Sequence, residues 1–194
     1  MKYSLLLKKI FFLFIFALTF SNLHAELKIG VIDMNRIFSE YEKTKKAQSD
    51  FENLEKGANR ELETRLAELK KRVEAIDKLT ADLQKTELSS DLRAAKEKER
   101  EAKIAEAKKM DEETAAFRSA KEKNFQEEFT KTRKTIIDEI MIVVDEQTKI
   151  RGFDLLFDKS GLSAGAIPVV LYARPDFDIS TEIITILNKK ANSK

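Results

Sequence analysis

The chain has 194 residues, 36% of them charged, yet a formal net charge of only +2, which does not suit a nucleic-acid binder held by a strongly basic surface. It contains no cysteine and no tryptophan, and its one histidine is His24. Disulfides and cysteine-based metal or nucleophile sites are thereby excluded.

The first 25 residues read as a secretory signal peptide. Lys2, Lys8 and Lys9 form a basic start, Ile10 to Phe20 is an apolar run too short to span a bilayer comfortably, and Ser21 to Ala25 is a polar stretch ending in a small residue. Cleavage is expected after Ala25. The bulk of Leu23 at the third position back leaves a retained N-terminal anchor as the alternative, and a lipid anchor has no cysteine to carry it. Removal of this leader takes away three lysines and His24, leaving 33 basic and 34 acidic residues, a net charge of −1. Without histidine, Ser–His–Asp triads and ordinary zinc sites fall away too. No enzyme and no cofactor are expected.

Leu27 to Asp33 is a short β-rich run. From Asp33 to Ile150 there is no proline and one glycine, Gly57, in a sequence rich in Ala, Glu, Lys, Leu and Arg, which predicts long helix. An apolar seam climbs through Ala47, Phe51, Leu54, Ala58, Leu62, Leu66, Leu69, Val73, Ile76, Thr80 and Leu83. Its steps are three and four, with a drift from the heptad near Gly57 to Leu66. Glu61/Arg65, Glu68/Arg72 and Glu74/Lys78 place an acid four residues before a cation on the solvated face.

The seam stops near Leu88-Ser89-Ser90-Asp91, where hydroxyls and an Asp can cap a new helix. The descending half, Leu92 to Ile150, ends in Phe117, Phe125, Phe129, Ile136, Ile140 and Val143. Two helices of about 50 residues predict an antiparallel hairpin about 75 Å long over residues 39–150, with its tip near 88–91. One uninterrupted helix and disordered arms are the alternatives. Only Leu92, Ile104 and Met110 are large apolar residues in the tip half of the descending helix, so a weakly packed distal arm is expected.

Phe153 to Asp158 reads as a second strand and Ile167 to Tyr172 as a third. Asp178 is expected to cap a final helix to about Lys190 that buries Ile179, Ile183, Ile186 and Leu187. Gly161 and Gly165 are turn residues. Asp111-Glu112-Glu113 point in different directions on a helix and suit a solvated face better than a cation site. Segments 26–38 and 151–194 are small for a stable core without disulfide or metal, so copies of the chain are expected to share one. Ile29, Val31, Leu155, Phe157, Val169 and Leu171 are its expected members. The fold class is α+β, mostly α: a long helical hairpin projecting from a small β-rich oligomerisation body.

Lys28 to Phe38 resembles the opening strand and short helix of the Skp/OmpH family of periplasmic chaperones. Phe153 to Gly161 is similar to that family's strand after its hairpin, and Val169 to Tyr172, Asp178-Ile179 and Leu187-Asn188 to its last strand and helix. The resemblance covers the chain after the leader, in order. It implies a periplasmic homotrimer whose three hairpins enclose a cavity for unfolded outer-membrane proteins, held without ATP until barrel insertion. Met110, Phe117, Phe125 and Phe129 are then candidates for the cavity lining, the three Phe at spacings that place them broadly on one face, although a seam role suits them equally. Gly57 is a candidate arm hinge. Well-known members are distinctly basic, whereas this chain after the leader is −1. Residues 60–110 carry +2, and segments 39–59 and 111–149 together carry −4. Strong attraction to membrane lipid or lipopolysaccharide is therefore not carried over. The rival reading is a periplasmic coiled-coil adaptor for one folded partner.

Overall fold

A stretch with one glycine and no proline leaves the backbone little alternative to helix. In the computed structural model, which describes residues 27–193, that stretch forms two long helices, α2 (Glu42–Leu83) and α3 (Ser90–Arg151). They fold back on each other through a turn at residues 84–89. Before them lie β1 (Ile29–Ile32) and α1 (Met34–Glu40); after them β2 (Leu155–Asp158), a 3-10 turn (Pro175–Phe177) and α4 (Ser180–Ala191). The expected leader lies outside the described residues.

Local chemistry sets the breaks. Asp33 caps α1 by accepting from the Arg36 N–H at 2.9 Å. Tyr41 leaves helical geometry for a single residue (φ −70°, ψ 126°) and separates α1 from α2. Ser89 caps α3 by accepting from the Leu92 N–H. Gly152 ends α3 in the left-handed region at φ 65°, where a side chain would be strained. Asp178 does not cap α4 itself: Ile179 occupies the cap, and Asp178 accepts from the Ser180 N–H instead.

β1 and β2 pair in parallel, Ile29 opposite Leu155 and Val31 opposite Phe157, with the whole hairpin as their crossover. Beyond β1, the Ile179 N–H donates to the Val31 carbonyl. The expected third strand is not formed. Ile167 to Tyr172 makes one bridge, Leu162 to Pro168, and leaves Leu171 79% and Tyr172 81% exposed. Its start folds back on residues 161–163 instead, with the Ser163 N–H donating to the Ile167 carbonyl at 2.8 Å and the Val169 N–H to the Gly161 carbonyl at 2.9 Å, and nothing among the described residues extends that pairing into a strand.

The core is helical. Ile37 of α1, Ile140 of α3, and Ile183 and Leu187 of α4 are fully buried, with Ile32, Tyr41, Ile136, Val143, Val144, Ile179 and Ile184 around them. Each such side chain contributes about 1.5–3 kcal/mol on burial. The body thus takes in Tyr41 and residues 136–144, which the sequence reading placed in the arm. This supplies the core that the two chain ends lack by themselves.

The hairpin seam also departs from the expected one. From Ala58 the α2 positions that follow the seam are Leu62, Arg65, Leu69, Arg72, Ile76, Leu79 and finally buried Leu83, a regular alternation of four and three, with Ala75, Thr80 and Asp82 half-buried beside it. Leu66 and Val73 are exposed, as is Leu54. The heptad continues without drift because two arginines occupy seam positions, which an apolar count alone passes over.

Candidate functional site

Where the arm leaves the body, its two helices are tied by charge. The Tyr41 hydroxyl donates to Glu139 Oε2 at 2.9 Å, and Lys43 Nζ contacts both Glu139 oxygens at 2.7 and 2.8 Å. Burial, then the hydrogen bond to Glu139, pushes the Tyr41 phenol above its ordinary pKa. The Glu139 hydrogen bond likewise raises Lys43 above its ordinary value.

Just beyond this clamp the helices diverge around an open groove of about 750 Å³. Phe38, Phe51, Phe125, Phe129 and Ile136 supply its apolar lining, and Glu52, Glu55 and Glu122 are exposed acids along it. Phe51 and Phe129 meet edge to face, ring centroids 5.8 Å apart. Arg133, the one basic residue of the lining, lies 5.1 Å from the Phe38 ring. Phe129 is 53% exposed, large for an aromatic ring, despite its contact with Phe51.

An apolar row continues this groove outward. At about 100° per residue, Leu66 and Val73 sit roughly 60–80° round from the α2 seam, and Ile104 and Phe129 roughly 50–70° round from the α3 seam. In antiparallel helices these offsets fall on the same side, the side on which the groove opens. All four are exposed.

The four expected cavity residues do not act together. Phe125 and Phe129 line the groove. Phe117 instead lies beneath Arg65 at 4.5 Å and beside Lys121 at 5.3 Å, and Met110 is half-buried. Phe117 and Phe129 are twelve residues apart, about 120° round the helix, so a spacing of eight and four spreads them rather than aligning them. Gly57 sits in unbroken helix with open space where a Cβ would stand.

Of the six expected members of the shared core, only Val31 is buried within one chain, with Ile29 half-buried. Leu155 and Phe157 are 44% and 42% exposed, and Val169 and Leu171 more so. Leu162, Ile150 and Tyr172 extend this apolar surface and were not anticipated.

Sequence reasoning also missed a polar knot beneath the body. Asp158 Oδ1 accepts from the Met34 N–H at 3.1 Å and from Ser160, fixing the start of α1 to the end of β2. Ser180, wholly buried, accepts from the Asp33 N–H at 2.8 Å. Lys159 reaches Asp178 at 2.8 Å. Burial alone would push the Asp178 carboxyl up, but bonds from Lys159 and Ser180 outweigh it and hold the group below its usual range. These Asp-x-Ser repeats, Asp158/Ser160 and Asp178/Ser180, are the signal that could have revealed the knot.

At the far end, Arg93 donates to the carbonyls of Leu83 and Lys85, capping α2 from the opposite helix. Hydrogen bonds from Lys85 and Lys96 draw the Asp82 carboxyl down to about 2.

Among the described residues no helix is long and apolar enough to cross a membrane. The family model described as outer membrane protein (OmpH-like) matches residues 28–187. Among solved structures, a protein from Caulobacter crescentus CB15 described as an outer membrane chaperone (OmpH-like) is similar in fold. Its TM-score is 0.67 at 15% identity, with 86% of each chain covered. No curated protein matches the chain.

Proposed function

The chain belongs to the OmpH-like outer membrane protein family, and from that premise we propose that it is an ATP-independent holdase. In this reading it works in the periplasm after removal of residues 1–25 and keeps unfolded outer-membrane proteins from aggregating. It binds rather than transforms its clients, in a space enclosed by the hairpins of a homotrimer.

The observation that carries this reading is the apolar row of the arm, Phe129, Leu66, Val73 and Ile104, which shares one side of the hairpin, while Leu54 and Leu92 are exposed off that row. A two-helix rod standing in solvent has no internal reason to expose large apolar residues on one side. Facing inward in a ring of arms, such a row offers many weak contacts, enough to retain an unfolded chain without ordering it. Self-association is supported by the second apolar surface, on the body. There β2 pairs on one edge only among the described residues, and Leu171 and Tyr172 run on exposed past the short pairing of Val169 with Gly161. Strand addition between copies satisfies both.

The test is to dilute a urea-denatured outer-membrane barrel protein into buffer with the leader-free protein. Full suppression of light scattering at one trimer per client is expected. Unchanged scattering at that ratio, or capture of a single folded partner from periplasmic extract, would refute the holdase reading.

A further inference from the structure

The groove at the arm root has a charge character that selects among clients. Resting on the holdase reading, we propose that it is a subsite for an aromatic or large aliphatic side chain flanked by lysine or arginine in an unfolded client. Its apolar lining is aromatic, with Phe51, Phe125 and Phe129 presenting ring faces and edges to a cavity of about 750 Å³. That space accepts a phenylalanine or leucine side chain together with some of its backbone.

The charges around it are lopsided. Three acids and one base line the groove. Arg133 is engaged over the Phe38 ring, and Arg118 on the next turn reaches Glu122 at 3.3 Å. Among the described residues Glu52 takes a side-chain amide from Gln48, at 3.3 Å, and neither Glu52 nor Glu55 forms an ion pair, with Lys56 the nearest cation along α2. Two exposed carboxylates one helical turn apart therefore stand beside an exposed aromatic ring without a direct ion-pair partner. A cation adjacent to an inserted apolar residue gains from both, and can also meet the face of Phe129. An anionic neighbour is repelled. The root's acidity matches the −4 of segments 39–59 and 111–149 and contrasts with the +2 of residues 60–110. Client segments of opposite charge are thus sorted to opposite ends of the arm.

The experiment uses the leader-free protein and two short, capped, fluorescein-labelled peptides, each with one central phenylalanine, flanked by lysines in one and glutamates in the other. Fluorescence anisotropy at about 20 mM salt should give about tenfold tighter binding of the lysine peptide, shrinking below about twofold at about 0.5 M salt. In Glu52→Gln/Glu55→Gln the preference should fall to about threefold or less, with circular dichroism confirming the fold. Phe129→Ala should weaken both peptides. Equal affinities in the parent protein, or a preference untouched by the double substitution, would overturn the subsite. Suppressed client aggregation alongside equal peptide affinities would sink this inference while leaving the holdase reading intact.

Discussion

Gly30 is the residue whose smallness the fold demands most clearly. A Cβ there would lie 2.9 Å from Leu156 Cδ1 and 3.0 Å from the Phe153 ring, inside normal contact. Gly30→Ala is expected to cost about 1–3 kcal/mol, because the Phe153–Leu156 layer must shift to admit it. Urea denaturation at fixed protein concentration checks this, and a midpoint equal to the parent's would show that the layer yields freely. Asp82 gives a second residue-level expectation. Its folded pKa of about 2 lies below the unfolded value of about 3.9, so the folded state binds fewer protons in that window. Its stabilising contribution is complete above about pH 4 and is lost as pH falls through about 2. A carboxyl-carbon NMR titration of Asp82 should show the low midpoint, and Lys96→Ala should raise it. A midpoint near 4 in the parent protein would mean that the tip ion pairs do not persist in solution.

At the scale of elements, the sequence made the long helices, their antiparallel return and both paired strands legible, because breakers and caps are local signals. The absence of proline from Asp33 to Ile150, and Ser89 before Leu92, needed no tertiary knowledge. What stayed hidden depended on contacts. Arg65 and Arg72 read as solvated partners of Glu61 and Glu68, and they do pair with them, at 2.8 and 3.2 Å. Yet their stems occupy the seam, with Arg72 also bridging to Glu106 at 2.8 Å and Arg65 covering Phe117. Likewise, Ile136 to Val144 carries the same period whether it packs on α2 or on α4, and only the fold decides. Gly57, with open space where a Cβ would stand, is our proposed hinge of α2. Gly57→Ala should narrow the spread of spin-label distances between neighbouring arms while raising helix stability by up to about 1 kcal/mol. An unchanged spread would remove the hinge proposal.

For the whole molecule, the candidate site was half legible. Phe125 and Phe129 were candidates through the family resemblance, with a seam role left open, whereas the acids beside them, and the parting of Phe117 from the set, follow from helix phase. The exposed body segment belongs to this scale because its proposed role lies between copies. Leu171→Glu is expected to shift the leader-free protein from a multiple of the chain mass toward a monomer at micromolar concentration in analytical ultracentrifugation. It puts a charge where the proposed association buries an apolar side chain. An unchanged mass distribution would place the contact elsewhere on the body.

The pairing of β1 with β2 joins residues 126 positions apart in the chain, and the α4 contact with Asp33 spans 147. A polypeptide emerging from its amino end therefore has its first strand in hand long before anything exists to dock against it. The rod can zip up by itself, turn upon turn, but its base stays open until the last forty or so residues arrive. A truncated product lacks the contacts of β2 and α4 on which the body depends.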